Sequence, residues 1–199
     1  MSELFNSNWR SLTTLRASFL NCYSVNLDRL LYDLPNIDNI ETCLSQDRRS
    51  TDDIDLWEFI NWEKFVPRSH GGFLTSQYRH DYGCYNFKAH VSLAHYRDIC
   101  NLYIKHNKEN LSNLFYNTNI TETDGDLTFG NLSAINSNAK YMRHTFDGAK
   151  CDNGALRLDD NFFSKLPKIQ DVRYCFANIS LAKPIPFDFF RKRYDNINT

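Results

Sequence analysis

The stretch Tyr85-Asn86-Phe87-Lys88-Ala89-His90-Val91-Ser92-Leu93-Ala94 alternates apolar and polar residues without a break. In a β-strand successive side chains point to opposite faces, so this period of two predicts a strand with Tyr85, Phe87, Ala89, Val91 and Leu93 inward. The same geometry sets Asn86, Lys88, His90 and Ser92 side by side on the other face. One wet and one dry face is the usual pattern of antiparallel pairing.

Working outward from that strand, the chain before it reads as helical. Apolar residues recur at Leu12, Leu15, Phe19, Tyr23, Leu27, Leu30 and Leu34, a helical spacing that Pro35 ends. Ser50-Thr51-Asp52-Asp53 offers a hydroxyl cap followed by acids, and Ile54, Trp57, Ile60 and Phe65 form an apolar stripe up to Pro67. After the strand, Tyr96–Tyr116 reads as helix. Short strands are expected at 127–135, 140–146, 155–158 and 172–181, between Asn, Gly and Asp turns. No internal repeat is legible. The expectation is an α+β single domain over 1–199, with a helical N-terminal third packed on a mainly antiparallel β-sheet.

Composition narrows the class. The 199 residues are 42% hydrophobic and 15% aromatic, with 15 Phe and 11 Tyr, an aromatic load that disordered chains lack. No run approaches the ~20 apolar residues of a membrane span, and Met1–Arg10 has no basic segment leading into an apolar one. Six cysteines are spread evenly with no CxxC, as in the reduced, buried thiols of a cytoplasmic protein. Asn is abundant at 22, so the sequons at Asn110, Asn119, Asn131 and Asn178 are expected by chance. That excess also suits an AT-rich genome, such as a phage or mobile element. Formal net charge is −1, but residues 1–66 carry 11 acids and 6 bases while 67–199 carry 13 acids and 17 bases. A uniformly basic coat for nucleic acid is excluded, and a local positive face is allowed.

Asp53-Ile54-Asp55-Leu56, followed by Trp57 and Glu58, resembles the strand of nucleotidyltransferases in which two aspartates hold divalent metal ions. Glu41 and Thr42 stand where that family has the Gly-Ser pair that seats the triphosphate. The same residues also make an ordinary capped helix start. His90-Val91-Ser92 resembles half of the paired His-x-Ser/Thr signature of two-histidine phosphoesterases, which implies one His as base and another as acid. The later candidate, His144-Thr145, is one residue short of that spacing.

Arg68, His70, Gly71, Gly72, Arg79, His80, Asp81 and Gly83 crowd one loop segment, where glycine backbones and cationic side chains suit an anion. His80, Cys84, His90, His95 and Cys100 match no common zinc spacing, and Asp124-Gly125-Asp126 lacks the rest of a calcium loop. The tail Phe187–Tyr194 sets aromatics against Arg191, Lys192 and Arg193. It suits docking on nucleic acid or an acidic partner, or a helix with its Phe residues on the core.

Two readings of function stand. In one, a cytoplasmic enzyme acts on a phosphate-bearing substrate, RNA or a nucleotide, by metal-independent histidine chemistry. His90, Ser92, His144 and His80 carry the reaction; Arg68, His70, Gly71, Gly72, Arg79, Lys88 and Arg143 hold phosphate; no cofactor is needed. In the other, the chain is a non-catalytic interaction protein of a phage or mobile element that binds a host protein or nucleic-acid complex. Neither involves a membrane, and oligomeric state is open in both.

Overall fold

A computed structural model of the chain describes residues 11–15, 36–37, 53–68, 88–123, 138–152, 154–158, 162 and 166–185. Strand β1 (Asp53–Asp55) runs into two single-turn helices, α1 (Leu56–Phe59) and α2 (Trp62–Phe65). Strand β2 (Lys88–Ser92) leads directly into α3 (Leu93–Lys105), and β3 (Thr118–Thr121) and β4 (Lys150–Cys151) follow. The sheet has the order β1-β2-β3-β4, and every pairing is parallel.

This corrects the expected antiparallel sheet and helical N-terminal third. The described part of that third holds a short strand and two helical turns, and the long helix lies in mid-chain. Most of the segment from Trp9 to Leu34 lies outside the described residues. Within β2 the alternation reports the faces, with Ala89 and Val91 buried and His90 and Ser92 partly open, whereas Leu93 and Ala94, expected on the strand, open α3, and Tyr85–Phe87 lie outside the described residues. It does not report direction. Far more chain than a hairpin turn separates each strand from the next, enough for the crossover that parallel pairing needs.

Local capping explains the breaks. The Asp55 carboxylate accepts from the N–H groups of Trp57 and Glu58, Asn61 caps α2 through Lys64 N–H, and Ser92 Oγ caps α3 through His95 N–H. Asp55, rather than Ser50 or Thr51, therefore caps the helical turn after β1. Trp62 donates its indole N–H to Leu56 C=O at 2.9 Å, so this large core ring leaves no unmet donor.

Beyond α3 the chain coils in a repeating manner. Asn110, Tyr141 and Asp171 pair in parallel, and Leu111, Asn113, Phe115 and Asn117 donate N–H groups to the carbonyls of Tyr141, Arg143, Thr145 and Asp147. Met142, His144, Phe146 and Gly148 donate in turn to Asp171, Arg173, Cys175 and Ala177. Intervening N–H groups close turns within each coil, as in Thr145 to Met142 and Ala149 to Phe146. This alternation satisfies the backbone with little regular strand, as buried polar groups require.

The step from Asn110 to Tyr141 nearly equals that from Tyr141 to Asp171. Three successive coils, 110–121, 141–151 and 171–181, therefore form a stack of the kind seen in solenoids. The expected absence of a repeat is thus corrected. The expected strands at 140–146 and 172–181 are stacked turns, with bridges at Tyr141, Asp171 and Leu181. An even step would set Leu181 against Cys151, but it bridges Leu156 instead.

Equivalent positions share one fate. Phe115, Phe146 and Phe176 form a column, the first two buried and the third half-buried, with centroids 5.8 Å and 5.9 Å apart and planes inclined by 14° and 3°. Burying Phe115 and Phe146 contributes about 1.5–3 kcal/mol each. Asn113, His144 and Tyr174 form a second equivalent set, as do Asn117, Gly148 and Asn178. All six have positive φ, between 48° and 72°. Asn and Gly adopt this left-handed conformation readily.

Candidate functional site

Two outward-facing groups of polar side chains emerge from this frame. The first lies on the outer face of the parallel sheet, where Asp55, His90, Asn119 and Lys150 are successive register partners. His90 Nδ1 lies 3.2 Å from Asp53 Oδ1 without hydrogen-bond direction, and His90 Nε2 lies 3.9 Å from Asp55 Oδ2. The two aspartates of the nucleotidyltransferase-like segment do share a face of a strand that enters a helix. Asp55, however, is engaged as the α1 cap, and both carboxylates face His90. Among the described residues, no group of three His, Cys, Asp or Glu is arranged to hold a metal ion.

Ser92 spends its hydroxyl oxygen as the α3 cap. Lys88 occupies β2 opposite Asp53. Arg68 is exposed and donates to Asn36 Oδ1 at 2.8 Å. His70, Gly71, Gly72, Arg79 and His80 lie outside the described residues, as do Asp81, Gly83, Cys84, Asp124, Gly125, Asp126 and the tail 187–194.

His144 stands on a different coil from His90. His90 is a register partner of Asn119, which in turn partners Lys150, and His144 precedes Lys150 by more than a turn in the same coil. Two strand spacings of ~4.8 Å separate their coils along the stack, about 10 Å before the offset across it is counted. General acid and base acting on one phosphate need hydrogen-bond reach. His90 and His144 thus stand on coils two spacings apart, and each imidazole has a carboxylate of its own.

The second group lies on the outside of the coil stack. His144 Nδ1 is 2.7 Å from Asp147 Oδ2, and the other oxygen of Asp147 accepts from Asn178 Nδ2 of the next coil at 2.8 Å. Asp147 is 6% exposed, and these contacts offset the cost of burying its carboxylate. The His144 ring stacks on Tyr174 at 4.8 Å with planes 12° apart, and Tyr116 meets its edge at 6.3 Å. An aromatic row, Tyr116–His144–Tyr174, thus crosses three coils.

Beside it stand Arg143 and Arg173, one coil apart. Asp171 Oδ2 accepts from Arg173 Nη2 at 2.6 Å and Oδ1 from Arg173 Nε at 3.0 Å, a two-pronged grip that fixes the guanidinium. This bonding holds the Asp171 carboxyl below its ordinary range and raises the guanidinium of Arg173. Tyr141 and Tyr174 are 41% and 57% exposed. At the rim, Lys140 bonds Glu109 of the preceding coil at 2.9 Å, which raises the Lys140 ammonium.

Of this group, sequence reasoning singles out only Arg143 and His144. It misses Tyr141, Asp171, Arg173 and Tyr174. Their signal is the spacing of Phe115, Phe146 and Phe176, each preceded two places earlier by Asn113, His144 or Tyr174. No helix among the described residues is long and apolar enough to cross a membrane. Comparison with known proteins found no matching family model, no related characterised protein and no solved structure of similar fold.

Proposed function

We propose that this chain is a non-catalytic interaction module that contacts a protein partner through the outward row of its coil stack. The supporting observation is the choice of residue at the left-handed turn positions. The first two coils use Asn113 and His144, residue types that enter this conformation more readily, but the third uses Tyr174 at φ 56°. A left-handed conformation costs an ordinary L-residue roughly 1–2 kcal/mol. Tyr174 is 57% exposed, so burial does not repay that cost. Local strain of this kind gathers at functional positions. Rigid, exposed Tyr and Arg side chains are the residue types that dominate binding hot spots.

A cytoplasmic setting accompanies the reading, since Cys100, Cys151 and Cys175 are buried, unpaired thiols. The phage or mobile-element origin stays part of the proposal, resting only on the Asn-rich composition.

The test has two arms. Short RNA, DNA and nucleotides are incubated with the wild type and with His90→Ala, with and without EDTA. No turnover is expected, and turnover lost in His90→Ala would overturn the reading. In the second arm, protein captured from host lysate by the wild type is compared with capture by a Tyr141→Ala/Tyr174→Asn double variant. A defined partner lost in the variant is expected, and identical capture would count against this face.

A further inference from the structure

We propose that the partner segment seated on this row is rich in Asp and Glu, with its carboxylates meeting Arg143 and Arg173 and its backbone lying against Tyr141 and Tyr174. This rests on the interaction-module reading and names the chemistry of its partner.

Charge is the first argument. Residues 138–185 carry eight Lys and Arg against five Asp and Glu, the reverse of the acidic balance over 1–66. Among the described residues of the stretch, the balance is seven to three. Opposed potentials steer encounter and select partners.

Preorganisation is the second. Arg173 is 63% exposed at its side chain, yet Asp171 holds it in one orientation, and Tyr174 is held by His144, which Asp147 fixes. Side chains already ordered lose little further freedom on binding.

The geometry favours an acidic peptide over single-stranded nucleic acid. Nucleic-acid platforms leave aromatic faces free for successive bases. Here one face of the Tyr174 ring is covered by His144, and a 4.8 Å centroid separation leaves no room for a base between them.

The experiment measures fluorescence anisotropy with a labelled poly-glutamate peptide and a labelled oligouridylate of equal length, at low and high salt. Proteins compared are the full chain and its Arg173→Ala, Tyr174→Asn and His90→Ala variants, with urea unfolding run on each. The wild type and His90→Ala should bind poly-glutamate with an affinity that falls with salt. Arg173→Ala and Tyr174→Asn should each lose about tenfold or more, while Tyr174→Asn remains fully folded in the binding buffer by its urea unfolding curve. Absence of poly-glutamate binding, equal binding by all variants, or tighter binding of oligouridylate overturns the proposal. If poly-glutamate fails while the Tyr141→Ala/Tyr174→Asn variant still loses a defined captured protein, the acidic chemistry falls and the interaction face survives. If capture is also unchanged, both fall.

Discussion

His144 and Tyr174 occupy equivalent turn positions in neighbouring coils, both with left-handed backbones, and their rings stack 4.8 Å apart on the outside of the molecule. The backbone cost and the ring contact oppose each other. Replacing Tyr174 by Asn relieves about 1 kcal/mol of strain and loses a ring contact of about 0.5–1.5 kcal/mol. Tyr174→Asn should therefore unfold in urea within about 1 kcal/mol of the wild type. A loss above about 2 kcal/mol would make the ring a structural element rather than a surface kept for contact.

The Phe column behaves differently. Phe146 is 1% exposed and sits between Phe115 and Phe176, so truncation removes contacts with both neighbouring coils at once. Phe146→Ala should cost about 3–5 kcal/mol in chemical denaturation, against roughly 1 kcal/mol or less for Phe146→Leu if the column repacks. Equal losses for the two would mean that ring stacking, more than filled volume, joins the coils.

These two columns also mark where the sequence is readable. The alternation at Ala89 and Val91 announces an inward face because a period of two survives any pairing direction. Direction is not readable, since alternation reports which face is wet and not which way the neighbour runs. The stack is hidden because its repeat is long and only Phe is identical at every turn of it, at Phe115, Phe146 and Phe176. Leu114, Thr145 and Cys175 share one inward position with little chemical likeness. The many Asn residues signal turns, and Asn113, Asn117 and Asn178 do take left-handed turn positions. What composition cannot reveal is that such turns recur in register and bring Tyr174 beside His144.

The buried thiols give a prediction of reactivity. Burial pushes Cys100 up to about 12 and raises Cys175 further. Thiolate is the reactive form, so neither residue should react with iodoacetamide at pH ~8 in the folded protein. Both should label after unfolding, and peptide mass spectrometry resolves them by site. Rapid native labelling of Cys175 would mean that the third coil opens on the labelling timescale.

Asp171 sets an acid limb. Its folded carboxyl is lowered, chiefly by the Arg173 side-chain hydrogen bond, so its contribution is complete above the unfolded value near ~3.9. It is lost as pH falls through the folded value. At neutral pH the wild type should be more stable than Asp171→Asn, by a modest margin because the pair is exposed to solvent. That gap should close below pH ~4, and urea midpoints measured across the acid range would show it. A gap that widened with acid would mean that the carboxylate is held against its preference.

Gly148 tests the turn geometry most directly. It has φ +72°, and a Cβ there would lie 3.2 Å from Asn117 Oδ1 of the preceding coil. Gly148→Ala meets both a left-handed backbone penalty of about 1–2 kcal/mol and that close approach. Gly148→Asn meets the same approach with a more tolerant backbone, and the equivalent residue of the third coil, Asn178, already adopts φ 54°. The expected order of stability is wild type, then Gly148→Asn, then Gly148→Ala. Adding Asn117→Gly to Gly148→Ala removes the contact but not the backbone penalty, so the double variant should recover part of the loss. Full recovery would assign the cost to the Asn117 contact, and none would assign it to the backbone alone.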